Sequence, residues 1–163
     1  MNAEPSRGSL LILSSYHHRN TEKVARVVAE VLGAQVKAPQ DIDPGELGEH
    51  DLIGFGSGIY GDQHHETVLE LARQLPPVTD EQAFIFSTSA IINKSKVAAD
   101  HLALREILES KGYTIMGEFS CRGFNTNSFM KYFGGMNKGR PNAEDLEHAR
   151  EFALSLKRKA FDS

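Results

Sequence analysis

Residues 10–32 read LLILSSYHHRNTEKVARVVAEVL. Leu10, Leu11, Ile12 and Leu13 form a short run with no polar position, the pattern of a β-strand buried on both faces. Further on, Val24, Val27, Val28, Val31 and Leu32 recur at the i, i+3, i+4, i+7, i+8 spacing of an amphipathic helix. Asn20 or Thr21 suits its cap and Gly33 its stop. Between strand and helix lies the polar stretch SSYHHRNT, residues 14–21. Strand, polar loop and helix together make an anion-binding unit, because helix N-terminal N–H groups and the helix dipole face the loop. This loop has no glycine, so any grip on an anion must come largely from side chains.

The same rhythm repeats outward from this unit. Residues 34–37 form a weak second strand, followed by a Pro/Gly/Asp-rich connection. Residues 51–56, DLIGFG, predict a third strand that enters a glycine-rich turn at residues 56–61, GSGIYG. A helix over 65–75 ends at Pro76-Pro77. Residues 83–86, AFIF, give a fourth strand ending in Ser87-Thr88-Ser89, and a helix follows over about 95–111. A fifth strand spans 113–121 with a break near Gly117. After a glycine-bearing loop at 122–140, Asn142 caps a last helix running to about Lys159.

Greasy strands alternating with helices imply a parallel sheet covered on both faces, a three-layer α/β fold. Right-handed crossovers and five strands fit the order 2-1-3-4-5. Residues 1–8 are polar, without an apolar signal core, and read as a short disordered lead-in to one domain spanning 9–163. Net charge is −4 and the pI is about 6.0, and no stretch interleaves many cations with aromatics, which speaks against a nucleic-acid surface. No apolar run approaches the roughly 20 residues of a membrane span. One cysteine, Cys121, rules out an intrachain disulfide framework and fits a reducing cytoplasm.

In such sheets ligands bind beyond the C-terminal strand ends, where the strand order reverses, here between strands 1 and 3. The loops after strands 1, 3 and 4 converge there, and all three are rich in hydroxyls, glycine or polar groups. Gly56, Gly58 and Gly61 make a nominal G-x-G-x-x-G, but no acid ends the next strand, so they read as a tight turn beside a flat ligand, with Tyr60 at its tip to stack on a ring. The pairs His17-His18 and His64-His65 lack metal-ligand spacing, and no metal is expected. No P-loop, serine-nucleophile elbow or lowered-pKa cysteine is apparent, so the site reads as one that holds a ligand bringing its own chemistry.

The stretch at residues 10–32 resembles the phosphate loop of the flavodoxin family, whose core is Ser/Thr-x-Thr-Gly-Asn-Thr ahead of a helix. Asn20-Thr21 match, Arg19 stands at the family's glycine, and His18 stands at its second hydroxyl. DLIGFGSGIYG and AFIFSTSA match more loosely. The resemblance implies a flavodoxin-like domain with non-covalent flavin mononucleotide (FMN). Ser15, Tyr16, His17, His18, Arg19, Asn20 and Thr21 would surround its phosphate. Ser57, Gly58, Ile59, Tyr60 and Gly61 would flank one side of the ring, and Thr88, Ser89 and Ala90 the other. It implies an electron-transfer protein serving a redox partner protein or a small electron donor or acceptor. Flavodoxins are strongly acidic, whereas this chain is mildly so. That raises the alternative of an FMN-dependent NAD(P)H:acceptor oxidoreductase of the quinone type, with Arg122, Phe124 and Asn125 forming the acceptor pocket. A flavin-free binding module on the same fold is the third reading.

Overall fold

The computed structural model of the protein describes residues 7–15, 20–90, 92–123 and 139–162. Among these residues, six strands and four α-helices follow one another as β1 (Ser9–Ser14), α1 (Asn20–Leu32), β2 (Gln35–Lys37), β3 (Leu52–Tyr60), β4 (Gln63–His64), α2 (Glu66–Gln74), β5 (Glu81–Ser89), α3 (Lys94–Ser110), β6 (Tyr113–Arg122) and α4 (Ala143–Phe161). The connection after β2 winds into two short 3₁₀ turns, Pro39–Asp41 and Pro44–Glu49. Five strands pair in parallel in the order β2-β1-β3-β5-β6, the arrangement expected from the sequence, and β4 adds a two-residue antiparallel arm on β3.

Alternation along the strands builds two cores. Leu10, Ile12, Ile53, Phe55, Ala83 and Ile85 pack with α2 and α3, while Leu11, Leu52, Phe84 and Phe86 pack with α1 and α4. The valine stripe of α1 behaves as its spacing demands: Val24 and Val28 are fully buried. α4 starts in a reciprocal capping box, with Asn142 Oδ1 accepting from Asp145 N–H at 2.9 Å and Asp145 Oδ2 accepting from Asn142 N–H at 2.8 Å. The fifth parallel strand, β6, is irregular where expected. Ala83 pairs with Ile115 but Ile85 pairs with Glu118, so one extra residue is accommodated beside Gly117. Among the described residues no helix is long and apolar enough to cross a membrane.

The glycine-rich stretch differs from its expected turn. β3 continues through Tyr60, and Gly56, Ser57 and Gly58 lie in the ladder opposite Phe86, Ser87 and Thr88. Gly54 and Gly56 are small because of the neighbouring strand: a Cβ on Gly54 would sit 2.3 Å from the Phe84 ring, and one on Gly56 2.2 Å from that of Phe86. These glycines admit aromatic rings to the α1/α4 core, a packing reason for glycine inside a strand. The turn comes later. Gly61 and Asp62 have φ of +57° and +60° and link Tyr60 to its antiparallel partner Gln63, as a two-residue type I′ hairpin requires.

Candidate functional site

Four serines stand in one row across the C-terminal part of the sheet. Ser14 pairs in register with Ser57, Ser57 with Ser87, and Ser87 with Ser120. Ser14, Ser57 and Ser87 each follow by two residues an apolar position on the α2/α3 face, Ile12, Phe55 and Ile85, so the core on that face gives way to hydroxyls at the C-terminal strand ends. Ser14 is 4% exposed, and its Oγ has no hydrogen-bond partner among the described residues; the enclosed Oγ of Ser15 has none either. Both stand at the end of β1, in the connection that leads to α1, on the strand where the sheet order reverses. Ser57 is engaged within the chain, donating to the Gly58 carbonyl at 2.6 Å and accepting from His65 N–H at 2.9 Å.

The ends of β1, β3 and β5 do converge. α1 begins at Asn20, so Asn20 and Thr21 lie in its first turn. Thr21 Oγ1 meets Thr88 Oγ1 at 2.8 Å, both side chains buried. Ser89 and Ala90 follow at the rim, half-buried, with Lys96 Nζ 3.5 Å from Ser89 Oγ. Tyr60 turns back on its own hairpin, its ring edge-on to His65 at 5.2 Å and close over Gly58. Ile59 is half-buried opposite His64, and Gly61 is exposed in the turn. Tyr16, His17, His18 and Arg19 lie outside the described residues, as do Ile91, Phe124 and Asn125.

The end of β6, where Arg122 was expected to border an acceptor pocket, also joins this cluster through Gly123. Gly123 N–H donates to the Ser89 carbonyl at 3.0 Å, and a Cβ on Gly123 would come 2.7 Å from Asn20 Nδ2. Gly123 itself was not singled out: a lone glycine just past a strand end is a weak signal.

His64 and His65 point in opposite directions. His65 caps α2, its Nδ1 accepting from Thr67 N–H at 3.1 Å. His64 is not a loop histidine facing a ligand: it is 1% exposed, and its Nε2–H donates to the Phe86 carbonyl at 3.0 Å. Burial, with the neighbouring His101 as the next cause, pushes its pKa from 6.5 down to about 3, so it is neutral at ordinary pH. The carbonyl can only accept, which places the His64 proton on Nε2.

Beside it lies a cluster absent from the sequence reading. His101, fully buried on α3, has Nε2 2.7 Å from Ser87 Oγ and Nδ1 3.0 Å from Glu118 Oε1. Ser87 Oγ also lies 2.9 Å from Ser120 Oγ, and Arg105 grips both Glu118 oxygens at 2.8 and 3.0 Å. Burial opposes ionisation of Glu118, but the bonds from His101 and Arg105 outweigh it and hold the carboxyl at about 2. His101 sits three residues before Leu104 and seven before Leu108, on the apolar stripe of its helix, and that placement was the available signal.

Two clefts flank these features. One of 380 Å³ crosses the top of β1 and β2 beside Ser14, Ser15, Lys37 and Gln40. The other, 260 Å³, lies between β6 and α4 and is lined by Ser120, Cys121, Arg122, Arg140, Asp145 and His148 among others. The Cys121 thiol is buried there. Burial, then Asp145, pushes its pKa up to about 12, against the lowering effect of Arg140, so it is not a ready nucleophile.

No family model matches the chain. Uncharacterized protein MJ0298 of Methanocaldococcus jannaschii is 40% identical over 148 residues, covering 91% of this chain and 97% of that protein. Among solved structures, oxidised flavodoxin 2 from Bacillus cereus superposes with a TM-score of 0.69 at 16% identity, over 93% of this chain and 99% of that one. A flavodoxin from the domain Archaea gives 0.62 at 14% identity over 93% and 97%, and the apo form of the NADH:FMN oxidoreductase EMOB gives 0.63 at 15% over 96% and 91%. At such identities the likeness is one of fold. With its sequence matched along nearly its whole length and its sheet in the order β2-β1-β3-β5-β6, the chain belongs to the family of the M. jannaschii protein MJ0298 and has the flavodoxin-like fold.

Proposed function

We propose that the chain is an FMN-binding, flavodoxin-like electron-transfer protein. The observation that carries this reading is the pair of enclosed hydroxyls of Ser14 and Ser15, without hydrogen-bond partners among the described residues, at the C-terminal end of β1 where the sheet order switches. A buried hydroxyl without a partner costs on the order of 1–3 kcal/mol, and a phosphate accepting from both would remove that cost. Helix N–H groups and the α1 dipole favour the same anion. Ser15, Asn20 and Thr21 would hold the phosphate, joined by Tyr16, His17, His18 and Arg19, while Ile59–Gly61 and Thr88–Ala90 would border the ring. Bound FMN supplies the redox chemistry; the chain binds it, orients it and closes water out behind it.

A second reading, an FMN-dependent NAD(P)H:acceptor oxidoreductase, draws on the cleft between β6 and α4, where Arg122 and Arg140 flank space for a second substrate. Titration of the purified protein with FMN, followed by quenching of flavin fluorescence, tests the shared premise; unquenched fluorescence in excess protein refutes both. Anaerobic addition of NAD(P)H to the loaded protein then separates them. Direct bleaching identifies a reductase, and an unchanged spectrum identifies a carrier served by another protein.

A further inference from the structure

The buried hydroxyl of Ser87 has two acceptors in place, His101 Nε2 at 2.7 Å and Ser120 Oγ at 2.9 Å. Glu118 is a carboxylate gripped by Arg105, so the His101 Nδ1 facing it at 3.0 Å carries a proton. Two complete arrangements follow. With His101 neutral, Nε2 accepts the Ser87 proton. With His101 protonated, Nε2–H donates to Ser87 Oγ, and the Ser87 hydroxyl turns to Ser120. Neither state leaves a buried polar group of this trio unmet, so the cluster can change charge by rotating one hydroxyl.

The neighbours confine the change to His101. From β4, His64 is held neutral by its burial, which outweighs its bond to the Phe86 carbonyl. From β6, Glu118 is held ionised, with Arg105 behind it. On α3 itself, Asp100 is paired with Lys96 at 2.6 Å. Glu118 is partly solvent-accessible, which gives protons a route from water. Ser87 leads directly into Thr88 and Ser89, the residues bordering the proposed ring site.

We propose that Ser87, His101 and Glu118 form a redox-linked proton store for the cofactor site. The proposal rests on the FMN reading. An electron delivered to the site by an external reductant is balanced by one proton taken from water onto His101 Nε2, and reoxidation releases both. No bond to the cofactor forms or breaks, and His101 acts as a positioning residue for charge. A unit charge about 10 Å away, at an effective dielectric of about 20, moves such a titration by roughly one pH unit.

The test follows the His101 ring by NMR in FMN-loaded protein across pH, oxidised and then reduced with dithionite. The expected result is a titration midpoint about one unit higher in the reduced protein. In parallel, the change of slope that wild type shows in midpoint potential against pH across that window should be absent in His101→Gln. If FMN binds but the His101 midpoint is the same in both redox states, the proton store is refuted while the FMN reading stands. If FMN does not bind, the FMN reading fails and this proposal fails with it. The wild-type measurement decides the matter even if His101→Gln does not fold.

Discussion

Thr21 and Thr88 meet hydroxyl to hydroxyl at 2.8 Å, joining the first turn of α1 to the end of β5 across the intervening strand β3. The two residues lie 67 positions apart in the chain, and both are buried. Removing one hydroxyl strands the other, at a cost of on the order of 1–3 kcal/mol, whereas removing both strands neither. Thr21→Val and Thr88→Val should each lower stability by about that amount, and the double variant should lose clearly less than the sum. Urea unfolding of the four proteins measures the coupling; strict additivity would show that the contact contributes nothing.

Gly56 faces Phe86 so closely that a Cβ there would lie 2.2 Å from the ring. Gly56→Ala should therefore destabilise by roughly 1–3 kcal/mol through overpacking. Combining it with Phe86→Leu should recover part of that loss, because the smaller side chain opens the space. A glycine kept for ligand approach would behave otherwise: Gly56→Ala would leave thermal stability unchanged and weaken FMN binding instead.

Acid should unfold the protein in a particular window. His64 has a folded value near 3 against 6.5 ordinarily, so between those pH values the unfolded chain binds a proton that the folded chain refuses. Stability then falls as pH drops through that range. Glu118, at about 2 against 4.5, adds a second loss between pH 4.5 and 2. From pH 7 to 4 the decline should be on the order of 2–4 kcal/mol, mostly from His64. His64→Gln keeps a donor for the Phe86 carbonyl without a titrating ring. Its stability should be nearly flat between pH 6.5 and 4.5, and a slope equal to wild type there would remove His64 as the cause.

Ser14 gives a test in which two quantities move in opposite directions. Its hydroxyl is buried without a partner among the described residues, so Ser14→Ala should leave the cofactor-free protein as stable or make it more stable, by up to about 1 kcal/mol. The same change should weaken FMN binding about 5- to 10-fold, by loss of one hydrogen bond to phosphate. Lower stability without FMN, together with unchanged affinity, would mean that the hydroxyl has an internal structural role.

Much of this protein was legible along the chain because its signals are local. The apolar run at residues 10–13 became the buried strand β1, the valine stripe became the packed face of α1, and the irregularity near Gly117 became a bulge in β6. The convergence of the β1, β3 and β5 ends followed from strand order alone. The glycines of β3 were misread because GSGIYG has the composition of a turn, and nothing within it shows that the rings of Phe84 and Phe86, about 30 residues on, fill the space above Gly54 and Gly56.

Sequence by itself determined the periodicities, and with them the elements, the layers and the end of the sheet where a ligand can bind. Only the tertiary structure decided which polar groups share that interior. Ser87, His101 and Glu118 come from a strand, a helix and another strand, and none carries a motif. Their meaning depends on distances of 2.7 to 3.0 Å and on exclusion of water, and those are properties of packing between segments far apart in the chain.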